Sequence, residues 1–143
     1  MVEYLGLAGA LEKLCRETGA QSSVTISFST ENVPRSLPSE MANRLFRVAK
    51  EALRNFTQHS QGKTANVELK ATNGHVLLRI SDDGIGIYSQ QGEGLGLTYM
   101  REQTLSLGGT FKLWSVPSKG TAIEASMPIN PMHVVSPWSA LNW

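Results

Sequence analysis

An α+β fold, a two-layer sandwich of a mixed, mainly antiparallel sheet packed on helices, is what this 143-residue sequence predicts. Strand-like alternation comes in neighbouring runs joined by short turns, which favours hairpins over parallel βαβ units. Longer segments with helical periodicity precede and separate those hairpins. A glycine-rich stretch begins where one predicted strand ends, which is where a ligand loop belongs in such a sandwich.

The chain opens with Leu5 to Thr18, in which Leu7, Ala8, Leu11, Leu14 and Cys15 recur at helical spacing and Gly19 offers a stop. Ser23 to Ser29 alternates Val24, Ile26 and Phe28 with small polar residues, the pattern of a half-buried strand. Pro34 and Pro38 bracket a connection, after which Ser39 is the candidate N-cap of a long helix carrying Met41, Leu45, Val48, Ala49, Ala52, Leu53 and Phe56. That helix is expected to end near Ser60 to Gly62. Val67, Leu69 and Ala71, then Val76, Leu78 and Ile80, mark two strands, with Asn73 and Gly74 as the hairpin turn between them. A helix from Leu97 to about Leu107 is closed by Gly108 and Gly109. Phe111 to Ser115 and Thr121 to Met127 form a second hairpin across Pro117 to Gly120. One domain over residues 1–130 and a proline-containing tail over 131–143 are expected.

Composition narrows the function classes. With 41% apolar residues the chain can build an ordinary core. A net charge of +1 argues for neither a nucleic acid nor an anionic membrane as partner. The single cysteine, Cys15, excludes an internal disulfide and a CxxC metal knuckle. No apolar run is long enough to span a bilayer, and no export signal opens the chain. A soluble, cytoplasmic domain is expected, in a parent protein that can itself be membrane-anchored.

Two segments carry chemistry. The first is Asp82, Asp83, Gly84, Ile85, Gly86, followed after a short span by Gly92, Glu93, Gly94, Leu95, Gly96, Leu97. Alternate glycines let backbone approach a ligand and turn N–H groups toward an anion. A dinucleotide GxGxxG does not fit, because Ser89 and Leu97 stand where the third glycine is needed. The second lies in the long helix, where Glu51, Asn55 and His59 are spaced i, i+4 and i+8 and line one stripe, while Ala52, Leu53 and Phe56 point to the core. An amide oxygen suits Mg²⁺, and a neighbouring carboxylate suits proton transfer. Such a triplet alone also fits a solvated polar face.

In order and spacing, Glu51 with Asn55 and His59, the Asp82, Gly84, Gly86 cluster, the Gly92, Gly94, Gly96 cluster with Leu95 and Leu97, and the Gly120, Thr121 pair resemble the nucleotide-binding boxes of the gyrase, Hsp90, histidine kinase and MutL superfamily. Finer features resemble the catalytic domain of sensor histidine kinases that pair with NarL/LuxR-type response regulators. These are Leu37 and Pro38, Arg47, Val48, Lys50 to Asn55, Gly94 to Glu102, and Leu107 to Gly109. The opening, with Leu5, Gly6, Leu7, Ala10 and Leu11, is similar to the segment C-terminal to the dimerisation helices in that class.

The resemblance implies a Bergerat-type fold that binds ATP and Mg²⁺ and transfers the γ-phosphoryl group to a histidine on a dimerisation domain. Asp82 would accept from the adenine amino group, with a water on Thr121 reading the same ring edge. Gly84 and Gly86 would let the chain pass the base. Gly92, Gly94, Leu95 and Gly96 would cradle the phosphates at the N-terminus of the helix that starts at Leu97. Asn55 would hold Mg²⁺, Glu51 would be the acid/base, and His59 would lie near the phosphates. A response regulator of NarL/LuxR type would be reached through the parent kinase, and the fragment itself is expected to be monomeric.

Departures from the pattern are informative. Gln58 stands where the class has lysine, and the span Ile87 to Gln91 is short for a lid. The phosphoacceptor histidine is not recognisable, since His75 falls in a predicted strand and His133 in the tail. Two other readings therefore remain: a nucleotide-binding interaction module without turnover, and a related serine kinase that inhibits a sigma factor. Gly62, Lys63 and Thr64 lack the first P-loop glycine and read as a helix-to-strand turn, and Asp83 reads as a solvated neighbour of Asp82. Trp114, Trp138 and Trp143 form no stacking pattern for nucleic acid, and core or tail packing is expected of them.

Overall fold

A computed structural model of the protein describes residues 2–86 and 96–129. Gly92, Gly94 and Leu95, and the tail expected over 131–143, lie outside the described residues. Helix α1 spans Val2–Ser22 and is interrupted at Gly6, whose φ of 70° is one that L side chains avoid. It continues past Gly19, and the chain reverses only at Ser23, which adopts a left-handed φ of 55°. Gly19 serves the reversal differently: its carbonyl accepts the Val24 N–H at 3.3 Å, and a Cβ there would meet the Val24 oxygen at 3.0 Å.

Strand β1 (Thr25–Glu31) leads through the proline-bracketed connection to α2 (Ser39–Asn55). Pro38, and not Ser39, occupies the N-cap position, extended at φ −53°, ψ 134°, with its carbonyl accepting the Ala42 N–H at 3.0 Å. Proline fixes the entry angle and makes a side-chain cap dispensable. Met41, Ala42, Leu45, Val48, Ala49, Ala52 and Leu53 are all buried, so this helix is the spine of the core. Removing a Leu45-sized side chain from water stabilises the fold by about 2 kcal/mol.

Helix α2 runs directly into a π-helical turn, Phe56–Ser60, and stops at Gln61 in the left-handed region. The end therefore falls where the sequence places it, but by a wider turn than periodicity suggests. Strands β2 (Thr64–Thr72) and β3 (His75–Asp82) form the expected hairpin, with Asn73 at φ 50° and Gly74 at φ 76° as its turn. Helix α3 (Leu97–Leu105) is followed by β4 (Thr110–Val116) and β5 (Gly120–Pro128).

The five strands run in the order β1-β2-β3-β5-β4. The β1–β2 pair is parallel and the others antiparallel, so the sheet is mixed as expected. Register stacks Val67, Ile80 and Ile123 in one row and Leu69, Leu78 and Ala125 in the next, all buried in the core that α2 also lines. Alternate residues populate the opposite face, where Arg79 pairs with Glu124 and lies 5.4 Å from the ring centre of Trp114. Trp114 is 44% exposed, so it does not pack in the core, and the tail against which it was alternatively expected lies outside the described residues. No helix among the described residues is long and apolar enough to cross a membrane.

Candidate functional site

The C-terminal half of α2 and the ends of β3 and β5 enclose a small cleft lined by Ala52, Asn55, Phe56, Ile80, Asp82, Thr121 and Ile123. Its polar groups converge between apolar walls, as in a small-molecule site, although its volume of about 10 Å³ admits no more than a water-sized group. Asn55 arrives on the buried face of α2 and is 2% exposed. Its Oδ1 atom accepts no hydrogen bond within the described structure, although the residue has another interaction. Asp82 and Thr121 face each other across the β3–β5 ladder. Burial raises the Asp82 carboxyl above its ordinary range, against the opposing pull of the Gly84 and Thr121 backbone N–H groups, and the nearby Asp83 charge raises it further. The Gly84 N–H donates to Asp82 Oδ1 at 2.8 Å.

The loop after Asp82 is held by close backbone approaches, and these explain its glycines. Ser60, fully buried, accepts the Ile85 N–H on its carbonyl at 2.8 Å and donates its hydroxyl to Phe56 O at 2.8 Å. A Cβ on Gly84 would sit 2.4 Å from Ser60 Cβ, and one on Gly86 2.5 Å from the Val116 oxygen. Gly86 also has a φ of 75°. Both glycines thread the loop between the end of α2 and the β4–β5 turn, where the Ser118 N–H donates to Ile85 O at 3.0 Å. The contacts described at these two positions are thus with the protein's own backbone and with Ser60.

Sequence reasoning underrates two residues here. Asp83, exposed as expected, is no mere solvated neighbour: its Oδ1 accepts the Lys63 and Thr64 N–H groups at 2.9 and 3.0 Å, and its Oδ2 the Thr64 hydroxyl at 2.9 Å. These bonds hold its carboxyl below the ordinary range, the Thr64 N–H contributing most. Ser60 escapes notice because a serine at a helix end carries no distinctive spacing. The glycine of the helix-to-strand turn, Gly62, is a usable signal for both, since a Cβ on it would lie 2.6 Å from Asp83 Oδ1 and 2.9 Å from Gly84 N.

One turn before Asn55 on α2, Glu51 meets α3. Gly96, at φ 79°, occupies the N-cap position of that helix without a side-chain cap bond. A Cβ on Gly96 would fall 2.5 Å from Glu51 Oε2. The Glu51 side chain is 17% exposed, and Arg54 Nη1 donates to its Oε2 at 3.1 Å. Asn55 and Glu51 therefore lie toward the sheet and the α3 terminus, whereas His59, on the π-helical turn, is exposed. The i, i+8 relation holds only for a regular α-helix, and the wider turn breaks it. Among the described residues no group of three or more His, Cys, Asp or Glu gathers in metal-binding geometry.

A mixed sheet backed by helices, with an amide and a carboxylate on one cleft and a glycine-started helix beside the same long helix, is the architecture of a two-layer ATPase domain. The model of the histidine kinase-, DNA gyrase B- and HSP90-like ATPases matches residues 40–131, and the chain belongs to that family. Over 96 residues it is 38% identical to the sensor protein VraS of Staphylococcus aureus strain COL, covering 66% of this chain and 28% of VraS. The chain thus spans little more than a quarter of the curated relatives it matches. The fold is similar to the histidine kinase domain of the Erythrobacter litoralis EL346 blue-light activated histidine kinase, with TM-score 0.68, 22% identity, and 86% of this chain and 61% of that one covered. It is also similar to full-length ShkA in complex with AMPPNP, with TM-score 0.69, 18% identity, and 90% and 31% covered. Family and fold together make this an ATP-binding domain of the histidine-kinase type.

Proposed function

We propose that this domain, residues 1–130, binds Mg·ATP and transfers its γ-phosphoryl group to a histidine on a dimerisation domain, within a sensor kinase that pairs with a NarL/LuxR-type response regulator. The observation that carries the reading is the convergence of Asp82, Asn55 and Thr121 on one cleft, with Glu51 one turn before Asn55 on the same helix and close to Gly96 at the start of α3. In this reading the Asp82 carboxylate accepts the adenine amino group and a water on Thr121 reads the neighbouring ring edge. Ile80, Ile123 and Ala52 exclude solvent from the base. The phosphates lie along Gly92, Gly94, Leu95 and Gly96, where the α3 terminus favours negative charge.

The donor set fits a divalent ion of the Mg²⁺ kind. Asn55 presents a buried amide oxygen, a hard donor, and no cage of carboxylates competes with phosphate and water for the remaining positions among the described residues. Bound there, such an ion would neutralise phosphate charge as the β–γ bridging bond breaks. The transfer itself forms a bond from an imidazole nitrogen of the acceptor to the γ-phosphorus, with ADP leaving and the imidazole proton passing to Glu51. His59 lies on the exposed turn beyond Asn55, on the phosphate side, and Gln58 supplies an amide where a lysine would supply charge.

Incubation of the domain with radiolabelled Mg·ATP and an added dimerisation-helix fragment bearing a histidine tests the reading. Acid-labile label on the fragment is expected. Tight nucleotide binding with no label on the fragment or the domain would favour a binding module instead.

A further inference from the structure

Strand β3 is brought to its end by a side chain. The β2–β3 register pairs Ala65 with Asp82, so Thr64 and Asp83 stand opposite each other one step further on. Half of the exchange at that step is made by main chain, the Asp83 N–H donating to Thr64 O at 3.2 Å. The other half ordinarily belongs to the facing carbonyl. Here the Thr64 N–H donates instead to Asp83 Oδ1 at 3.0 Å, the Lys63 N–H to the same atom at 2.9 Å, and the Thr64 hydroxyl to Oδ2 at 2.9 Å. With the carboxylate as acceptor, the main chain leaves the ladder and turns at Gly84. The Gly84 N–H comes back to Asp82 Oδ1 at 2.8 Å, and the Ile85 N–H goes on to Ser60 O at 2.8 Å. The turn has no slack, since a Cβ on Gly62 would lie 2.6 Å from Asp83 Oδ1 and one on Gly84 2.4 Å from Ser60 Cβ.

We propose that Asp83 is a positioning residue for base selectivity: by accepting the Lys63 and Thr64 N–H groups on its side chain, it sets the turn whose Gly84 N–H fixes the Asp82 carboxylate for the adenine amino group. The inference rests on the reading of Asp82 as the adenine acceptor and gives its neighbour a part in that recognition. A recognition group discriminates best when surrounding hydrogen bonds lock its rotamer. Two backbone donors hold the Asp82 carboxylate, the Thr121 N–H from β5 and the Gly84 N–H from the turn, and the second depends on Asp83. Asp83 is exposed and does not line the cleft, so its effect on a ligand passes through the turn alone. Lys63 and Thr64 are exposed as well, so loss of the carboxylate hands their N–H groups to water and leaves no orphaned donor in the core.

The test is calorimetric binding of ATP and of inosine triphosphate, in Mg²⁺, to the wild type, Asp83→Ala, Asp83→Asn and Asp83→Glu, with circular dichroism following the fold. Inosine carries a carbonyl oxygen where adenine carries the amino group, so the ratio of the two affinities reads the Asp82 contact. The wild type is expected to prefer ATP by about 10- to 100-fold, the range of a hydrogen bond to a charged acceptor. Asp83→Ala is expected to narrow that preference by about three- to tenfold, a part of the same range. Asp83→Asn keeps the Oδ1 acceptor and restores the preference, whereas Asp83→Glu keeps the charge, moves the oxygens outward and narrows it. A looser fold by itself would weaken both nucleotides alike and leave the ratio untouched. A wild-type ratio in both Asp83→Ala and Asp83→Glu therefore overturns the proposal. So does a ratio in Asp83→Asn as narrow as in Asp83→Glu, since charge and not the bonded turn would then be at work. Should Asp83→Ala not fold, Asp83→Glu and Asp83→Asn decide by the same criteria. A wild type that binds both nucleotides equally, or neither, refutes the adenine reading of Asp82, and the inference falls with it.

Discussion

Replacing Gly120 by alanine tests how tightly the fold constrains the end of β3. Gly120 has φ +125°, and a Cβ there would lie 2.0 Å from the Asp82 carbonyl oxygen and 3.0 Å from its carbon. Both neighbours are backbone in a paired strand, so nothing can rotate aside. Holding a non-glycine residue in this region costs about 1–3 kcal/mol, and forcing an extra methyl into a closed contact costs about 1–3 kcal/mol more. The sum, about 2–6 kcal/mol, is a large share of the roughly 5–15 kcal/mol of a typical domain. Urea unfolding monitored by circular dichroism reads it as a lower midpoint at constant slope. A loss within about 0.5 kcal/mol, the range of ordinary surface substitutions, would refute the claim that this backbone contact is closed.

The ionisable groups give two further outcomes. Burial raises the Asp82 carboxyl, so the folded state holds its proton more tightly than the unfolded chain does. That stabilisation is complete below the ordinary carboxylate pKa of about 3.9 and disappears as pH rises through the raised value. Asp82→Asn removes it, so the variant should gain stability relative to wild type as pH is taken from about 3 to 7; a difference constant with pH would contradict the assignment. Asp83, held low, has the opposite slope in both proteins, and only its charge interaction with Asp82 differs between them. Cys15 is buried, with its thiol pushed up to about 11 by desolvation and then by Glu12. Thiol reagents at mildly alkaline pH should modify the native protein on the order of a hundredfold more slowly than the urea-unfolded chain, and equal rates would show that the pocket opens readily.

Local signals in the sequence locate the elements well, because periodicity and turn chemistry are written in neighbouring residues. The Asn73–Gly74 turn and the α2 core stripe are examples. The endpoints are less legible: Gly19 reads as a stop but the helix runs on to Ser22, since a glycine's usefulness to the returning chain at Val24 depends on a contact that the helix pattern does not encode. Within the candidate site, Asp82, Asn55 and Thr121 are recognisable from ordered boxes, and the structure brings them to one cleft. Gly84 and Gly86 are recognisable as necessary glycines but not for the reason the structure gives, which is close approach to Ser60 and Val116. Asp83 clamps Lys63 and Thr64 across 20 and 19 positions of sequence, and no short pattern carries such a pairing. The π-helical turn that carries His59 out of the Asn55 stripe ends at Ser60, whose carbonyl accepts the Ile85 N–H from the distant loop after Asp82, a pairing that no local pattern encodes.

The account's central claim, that purine and phosphates occupy the cleft between α2 and the ends of β3 and β5, is tested most directly by calorimetric titration of ATP into the wild type and Asp82→Asn. A hydrogen bond to a charged acceptor contributes about 1.5–3 kcal/mol, so the variant should bind about 10- to 100-fold more weakly while remaining at least as stable as wild type at neutral pH. Equal affinity in the two proteins would contradict the assignment of this cleft to the nucleotide.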